Sequence, residues 1–171
     1  MSNKNKISRP GFLLSVADLE KSKAFYMNVL EQTILEEHEG GMVCFESYIC
    51  LQKNYAGIIE GSAIFAPRPT GAKIEMKTKP NNCQIGIEVE DVEHWAAKIK
   101  AVDGIELLHD IAEYNWGQRV FRFYDYDGHI IEIGEDLKVV VKRLHTQGFT
   151  VEQIVDKMGF PLEYVKQLLH T

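Results

Sequence analysis

Polar and apolar positions alternate strictly along Gln84-Ile85-Gly86-Ile87-Glu88-Val89. Ile85, Ile87 and Val89 point one way and Gln84, Gly86 and Glu88 the other, the pattern of a strand with one buried face. The period then changes. Val92, Trp95, Ala96 and Ile99 recur at i, i+3, i+4 and i+7, which predicts a helix ending near Gly104. Ile105–His109 predicts the next strand. Arg119–Tyr124 and His129–Ile133, rich in Phe, Val, Ile and Tyr, predict a hairpin around Asp125-Tyr126-Asp127-Gly128. There Asp accepts local backbone hydrogen bonds and Gly takes a positive φ. With Tyr126 and Asp127 as a two-residue loop, Phe121 is expected opposite Glu132 and Phe123 opposite Ile130, with Arg119 on the face of Glu132.

The same order of elements is written earlier in the chain. Gly11–Val16 is a short apolar strand, and Asp18 is placed to cap a helix, with Glu20 in its first turn. Ser22, Phe25, Tyr26 and Val29 share a face, so Leu19–Leu30 is predicted helical. Thr33–Glu39, Met42–Glu46 and Tyr48–Lys53 follow as strands, with Gly40-Gly41 turning the first into the second. Val16/Val89, Asp18/Asp91, Glu20/Glu93 and Ala24/Ala97 match at a constant offset of 73. A β-α-β-β-β unit therefore occurs twice. Each has helices on one side of a sheet and polar groups on the other, and two such half-sheets side by side predict a cup.

The reading divides the chain into a domain at 11–135, with modules 11–53 and 83–135 and a linker 54–82, and a helical extension at 136–171. The linker holds Pro67, Pro69 and Pro80 and is either a tether or an excursion covering a site. In the extension, Asp136–Gln147 carries Leu137, Val140, Val141 and Leu144 on one stripe and Gly148 breaks it. Thr150 caps a second short helix, with Gln153 where a capping box requires it. Gly159 ends that helix, and Pro161 begins a third that runs through Leu168. The extension resembles small helix-turn-helix segments, but from Leu137 on its five Lys/Arg against three Asp/Glu are a thin footprint for DNA. Packing on the main domain or on a second subunit is the expectation.

Composition narrows the classes. The chain has 171 residues, 45% hydrophobic and 26% charged, with a net charge of −6, which argues against a general nucleic-acid binder and an anionic membrane surface. No apolar run is long enough to span a bilayer. Met1–Pro10 is polar and charged, and the three cysteines, Cys44, Cys50 and Cys83, show no metal or redox spacing. Reduced thiols and a cytoplasmic location are expected.

Paired β-α-β-β-β modules, strand-then-Asp-Leu-Glu-Lys-Ser helix starts with Ala-Phe-Tyr inside, and Phe-x-x-Asp-x-Asp-Gly-His-x-x-Glu near the end resemble the vicinal oxygen chelate superfamily. That superfamily includes glyoxalase I, bleomycin-resistance proteins, fosfomycin-resistance transferases and extradiol dioxygenases. The resemblance covers about Gly11–Glu135. It implies an α+β glyoxalase/bleomycin resistance/dioxygenase fold, a cup-shaped mixed sheet followed here by a helical C-terminal extension.

It also implies where a divalent metal (Zn, Ni, Mn or Fe) would sit. Ligand positions open the first strand and close the last strand of each module. Here they fall on Gly11 and Gln84, on Leu51 or Gln52, and on Glu132. Only Gln84 and Glu132 are convincing donors, so the site is incomplete and no resident cofactor is expected. The six histidines show no partner at ligand spacing.

The expected occupant is a small organic molecule, with Gln84, Glu88, Phe121 and Glu132 lining the cup, Tyr114 and Trp116 stacking on it, and Arg119 holding an anionic group. Arg119 is alternatively the salt-bridge partner of Glu132, and Trp116 alternatively plugs the sheet edge. Three functions follow: a binding or sequestering protein; a metal-dependent lyase, isomerase or dioxygenase with Glu132 as ligand or catalytic base; and a ligand-sensing regulator using the tail. A homodimer is expected, and partners in membrane or nucleic acid are not.

Overall fold

The computed structural model describes residues 11–55 and 79–171. Most of the predicted linker lies outside them. The chain forms two compact units whose boundary falls between Lys79 and Pro80.

In the first unit, β1 (Phe12–Val16), α1 (Leu19–Asn28), β2 (Ile34–His38), β3 (Met42–Phe45) and β4 (Ile49–Lys53) follow in chain order. The sheet runs β1-β4-β3-β2, with β1 parallel to β4 and the other pairs antiparallel. Asp18 caps α1 by accepting the Lys21 N–H at 3.1 Å. From the helix, Tyr26 stacks on Phe45 at 5.7 Å between centroids. Val43, Phe45 and Leu51 are fully buried on that side of the sheet. The first-module ligand candidates are therefore withdrawn. Leu51 belongs to the core, and buried Gln52 donates its amide to the carbonyls of Gly41, at 3.1 Å, and Lys53, at 3.0 Å, which braces the β2–β3 turn.

Cysteine usage also differs from expectation. Cys44 and Cys50 are register partners on β3 and β4 and form a disulfide, whereas Cys83 is free and exposed. Spacing along the sequence missed the pair because a turn, not a motif, brings it together.

The second unit repeats the plan with β5 (Gln84–Val89), α2 (Val92–Lys100), β6 (Glu106–Glu113), β7 (Arg119–Tyr124) and β8 (Ile130–Glu135), in sheet order β5-β8-β7-β6. Asp91 caps α2 through the His94 N–H at 2.8 Å. The result is an α+β fold of two βαβββ modules.

The β7–β8 hairpin corrects the sequence reading by one residue. Arg122 pairs with Glu132 and Phe121 with Ile133. The Asp125 N–H bonds the His129 carbonyl at 3.0 Å, and the Gly128 N–H bonds the Asp125 carbonyl at 3.1 Å, so the loop has three residues, with Gly128 at φ 84°. The Asp125 carboxylate selects this longer loop by accepting the N–H groups of Asp127 and His129, at 3.0 and 2.8 Å, and contacting His129 Nδ1 at 2.9 Å. A one-residue slip exchanges every side chain between faces. Phe121, Phe123 and Arg119 accordingly lie on the α2 side, and Arg122 replaces Phe121 across from Glu132.

Three helices complete this unit: α3 (Leu137–Thr146), α4 (Val151–Met158) and α5 (Leu162–His170). Val140, Val141, Leu144, Ile154, Met158 and Val165 form their shared core. The Thr150–Gln153 capping box is present, and Gly159 closes α4 at φ 72°. The helices are tied to the sheet by a buried carboxylate. Glu135 accepts from Arg119 at 2.6 Å and from Arg143 at 2.8 Å, while Arg143 also donates to the Gly117 carbonyl at 2.5 Å. Burial works against ionisation of Glu135, but the two guanidiniums outweigh it and hold its pKa below the ordinary value. Among the described residues, no helix is long and apolar enough to cross a membrane.

Candidate functional site

Strand pairing, not sequence proximity, assembles the polar cluster of the second module. Arg122 on β7 is flanked by Glu132 on β8 and His109 on β6, its register partners on either side. Gln84 starts β5 opposite Ile130, two residues before Gly86, the register partner of Glu132. One guanidinium gathers four groups. Nε donates to Gln84 Oε1 at 3.0 Å, Nη1 contacts His109 Nε2 at 3.0 Å, and Nη2 donates to the Tyr114 hydroxyl and to Glu132 Oε2. A guanidinium has five N–H groups in a planar fork, so one on Nη1 remains for another acceptor.

The histidine is fixed in one form. His109 Nδ1 lies 2.7 Å from the Asp110 carbonyl, which can only accept, so Nδ1 carries the proton. Nε2 therefore presents its lone pair to Arg122. The Arg122 and Glu132 side chains are 22% and 17% exposed. This ion pair is screened less than a surface pair and still meets solvent. Beside it, Gln84 is exposed and borders an open hollow of about 280 Å³ lined by Asn81, Asn82, Cys83, Gln84 and Ile130. Tyr124 donates to Oδ1 of the lining residue Asn81 at 2.5 Å.

The other sequence candidates divide. Glu88 lies on the same face of β5 as Gln84, and its pKa is raised, first by desolvation and then by the neighbouring charge of Asp136. Tyr114 reaches the cluster through its hydroxyl, and its ring stacks on Trp116 at 5.9 Å. Trp116 turns instead towards the C-terminal helices, meeting Phe160 edge-on at 6.5 Å. Arg119 is not the partner of Glu132; it binds Glu135 and Glu93. Phe121 is buried against Phe123 at 6.0 Å on the α2 side.

Arg122 and His109 were not among the candidates. Asp125 and Gly128 spaced for a three-residue loop are the signal that would have put Arg122 across from Glu132. His109 required the full length of β6, which extends to Glu113 rather than ending at the histidine.

The donor set is already committed to a cation of the chain itself. Gln84 Oε1, His109 Nε2 and Glu132 Oε2 are all turned to a cation already present, and the described residues contain no group of three His, Cys, Asp or Glu that would hold a metal. The first module adds nothing. By the offset of 73 and the strand register, Gln84 corresponds to Gly11, Gly86 to Leu13 and hence Glu132 to Cys50, whose sulfur is bonded to Cys44. As they stand, these residues do not fit a metal centre.

Comparison with known proteins bears on the whole domain. A glyoxalase-like domain model matches residues 10–138. A protein of unknown function from Agrobacterium tumefaciens str. C58 is similar in structure, with 30% identity, a TM-score of 0.62, and coverage of 77% of this chain and 95% of that one. Lactoylglutathione lyase from Agrobacterium tumefaciens is 19% identical, with a TM-score of 0.55 over 77% of this chain and 96% of that one. The fosfomycin resistance protein FosX from Listeria monocytogenes is 20% identical, with a TM-score of 0.54 over 77% of this chain and 94% of that one. The last two likenesses are of fold alone. No curated protein matches.

Proposed function

The chain belongs to the glyoxalase-like domain family, and from that membership we propose that it binds a small organic molecule on the polar face of its second module, without a resident metal. The observation that carries this is the Arg122 cluster: a fixed cation, a carboxylate, an amide, a phenol and a neutral imidazole on one face, next to an open hollow. Such a mixture of polar groups beside aromatic surface orients a ligand rather than stabilising a core. The spare N–H of Arg122 and the amide N–H groups of Gln84 would meet a ligand carbonyl or carboxylate. Tyr114, 36% exposed, would supply apolar area. In this reading Glu88 lines the approach, whereas Arg119 and Phe121 hold the sheet from behind.

The alternative is a divalent-metal lyase or isomerase with Glu132 as ligand or base. It requires both Gln84 and Glu132 to leave Arg122, at the cost of a partly buried, unpaired guanidinium. Calorimetry against a panel of small carboxylates and carbonyl compounds, pyruvate and benzoate among them, tests the proposal in EDTA-treated protein. Saturable binding that weakens about 10-fold or more in Arg122→Ala is expected, for the loss of a charged hydrogen bond. Binding that appears only when Zn²⁺ or Mn²⁺ is restored would replace this reading with the metal-dependent one.

A further inference from the structure

We infer that Arg122 is the built-in cation of this site, and that it keeps closed a set of side chains otherwise competent to hold a divalent ion. The inference deepens the metal-free reading above and rests on it for the location of the site. Three lone pairs converge on the guanidinium: the amide oxygen of Gln84 and the imidazole nitrogen of His109, each at 3.0 Å, and the carboxylate oxygen of Glu132. They come from three different strands, β5, β6 and β8, and Arg122 enters between them from β7. An amide, a neutral imidazole and a carboxylate are donor types that borderline divalent metals accept, and three protein ligands suffice for an open site.

The histidine adds an independent sign. Its Nδ1–H is anchored on the Asp110 carbonyl, the outer hydrogen bond that metal-bound imidazoles use to fix their tautomer and ring plane. Here the same anchoring delivers Nε2 to an arginine.

A guanidinium differs from an ion in ways that matter. It cannot be removed by a chelator, it does not lose its proton, and it provides a single charge with directional N–H groups. It can bind a carbonyl or carboxylate oxygen but leaves no vacant coordination position. The first module has closed its equivalent place differently. Cys44 and Cys50 are the register partners corresponding to Arg122 and Glu132, and they are joined by a disulfide. In both modules the cross-strand pair at this point is therefore satisfied internally.

The test is metal binding, independent of any organic ligand. Purified wild type, Arg122→Ala and Arg122→Met are freed of metal and titrated with ZnCl₂ and NiCl₂ by calorimetry, with circular dichroism to verify folding. Wild type is expected to bind no stoichiometric ion. A folded Arg122 variant should bind one per chain at least about 100-fold more tightly, as a three-ligand site does. That binding should disappear when His109→Ala or Glu132→Gln is added. Arg122→Met keeps the aliphatic stem and carries the test if the alanine variant does not fold. Stoichiometric metal in the wild type, a folded Arg122 variant that binds none, or binding indifferent to His109 would each overturn the inference. If the carboxylate panel fails while these results hold, the ligand proposal falls and the cation assignment stands.

Discussion

His129 shows how one side chain can set the register on which a site depends. Its backbone N–H and ring both engage Asp125, whose side chain is 2% exposed. Burial opposes charging of the imidazole, but the hydrogen bond and the charge of Asp125, with Asp127 behind it, win and raise its pKa. A folded-state pKa above the unfolded one stabilises the protein fully below about 6.5, and that contribution is lost as pH rises through the folded value. Urea denaturation of the wild type should therefore show stability falling from pH 6 to pH 8, and His129→Gln should flatten this limb. An unchanged slope in the variant would assign the pH dependence elsewhere. At this scale the sequence was only half legible. The sequence marks Asp125 and Gly128 as turn residues but predicts a loop of two residues where the structure has three. That slip moved Arg119 and Phe121 into the site on paper and left Arg122 out, since pleat alternation converts an error of one into an error of face.

At the scale of elements, hydrophobic period and capping were enough. α1 and the three terminal helices fall within two residues or so of the predicted bounds, because Asp18, Thr150 and Gly159 act locally, whereas α2 starts after its Asp91 cap as expected but ends at Lys100, short of the predicted Gly104. What an element packs against was harder to read, because packing depends on the partner's face. The C-terminal helices are the example. Their apolar stripes are legible in the sequence, but the loop they seize is not. Lys157 donates to the Asn115 carbonyl at 2.8 Å, and Trp116 bridges Tyr114 of the polar cluster to Phe160 in the loop between α4 and α5. The helices thus hold the loop that presents Tyr114 to Arg122. Phe160→Ala should free Trp116, shifting its emission to longer wavelength in a Trp95→Phe background, and lower stability by about 1–3 kcal/mol, less than a fully buried Phe would cost. Emission that does not move would mean that the loop is held by Arg143 and Lys157 alone.

At the scale of the whole molecule, duplication explains both what the modules share and where they part. The plan of strand, capped helix and three strands is common to both because it is a solution for burying one face of a small sheet. The polar faces diverged, one to a disulfide and the other to an arginine cluster. Every partner of Arg122 lies between Gln84 and Glu132, and the sheet that holds them is buttressed by α3 through Glu135, with α4 and α5 sharing a core with α3. The compact unit beginning at Pro80 consequently contains a core, a set of caps and the whole cluster. Residues 80–171 expressed alone should fold cooperatively, at a lower Tm than the full chain, because a unit of this size buries a smaller fraction of its surface. Arg122→Leu in that fragment should lower its Tm further, since Glu132 would be left without its cation. A fragment without dispersed amide resonances in a ¹H–¹⁵N spectrum would show that the second module needs the first to fold, and duplication would then have left two halves of one folding unit.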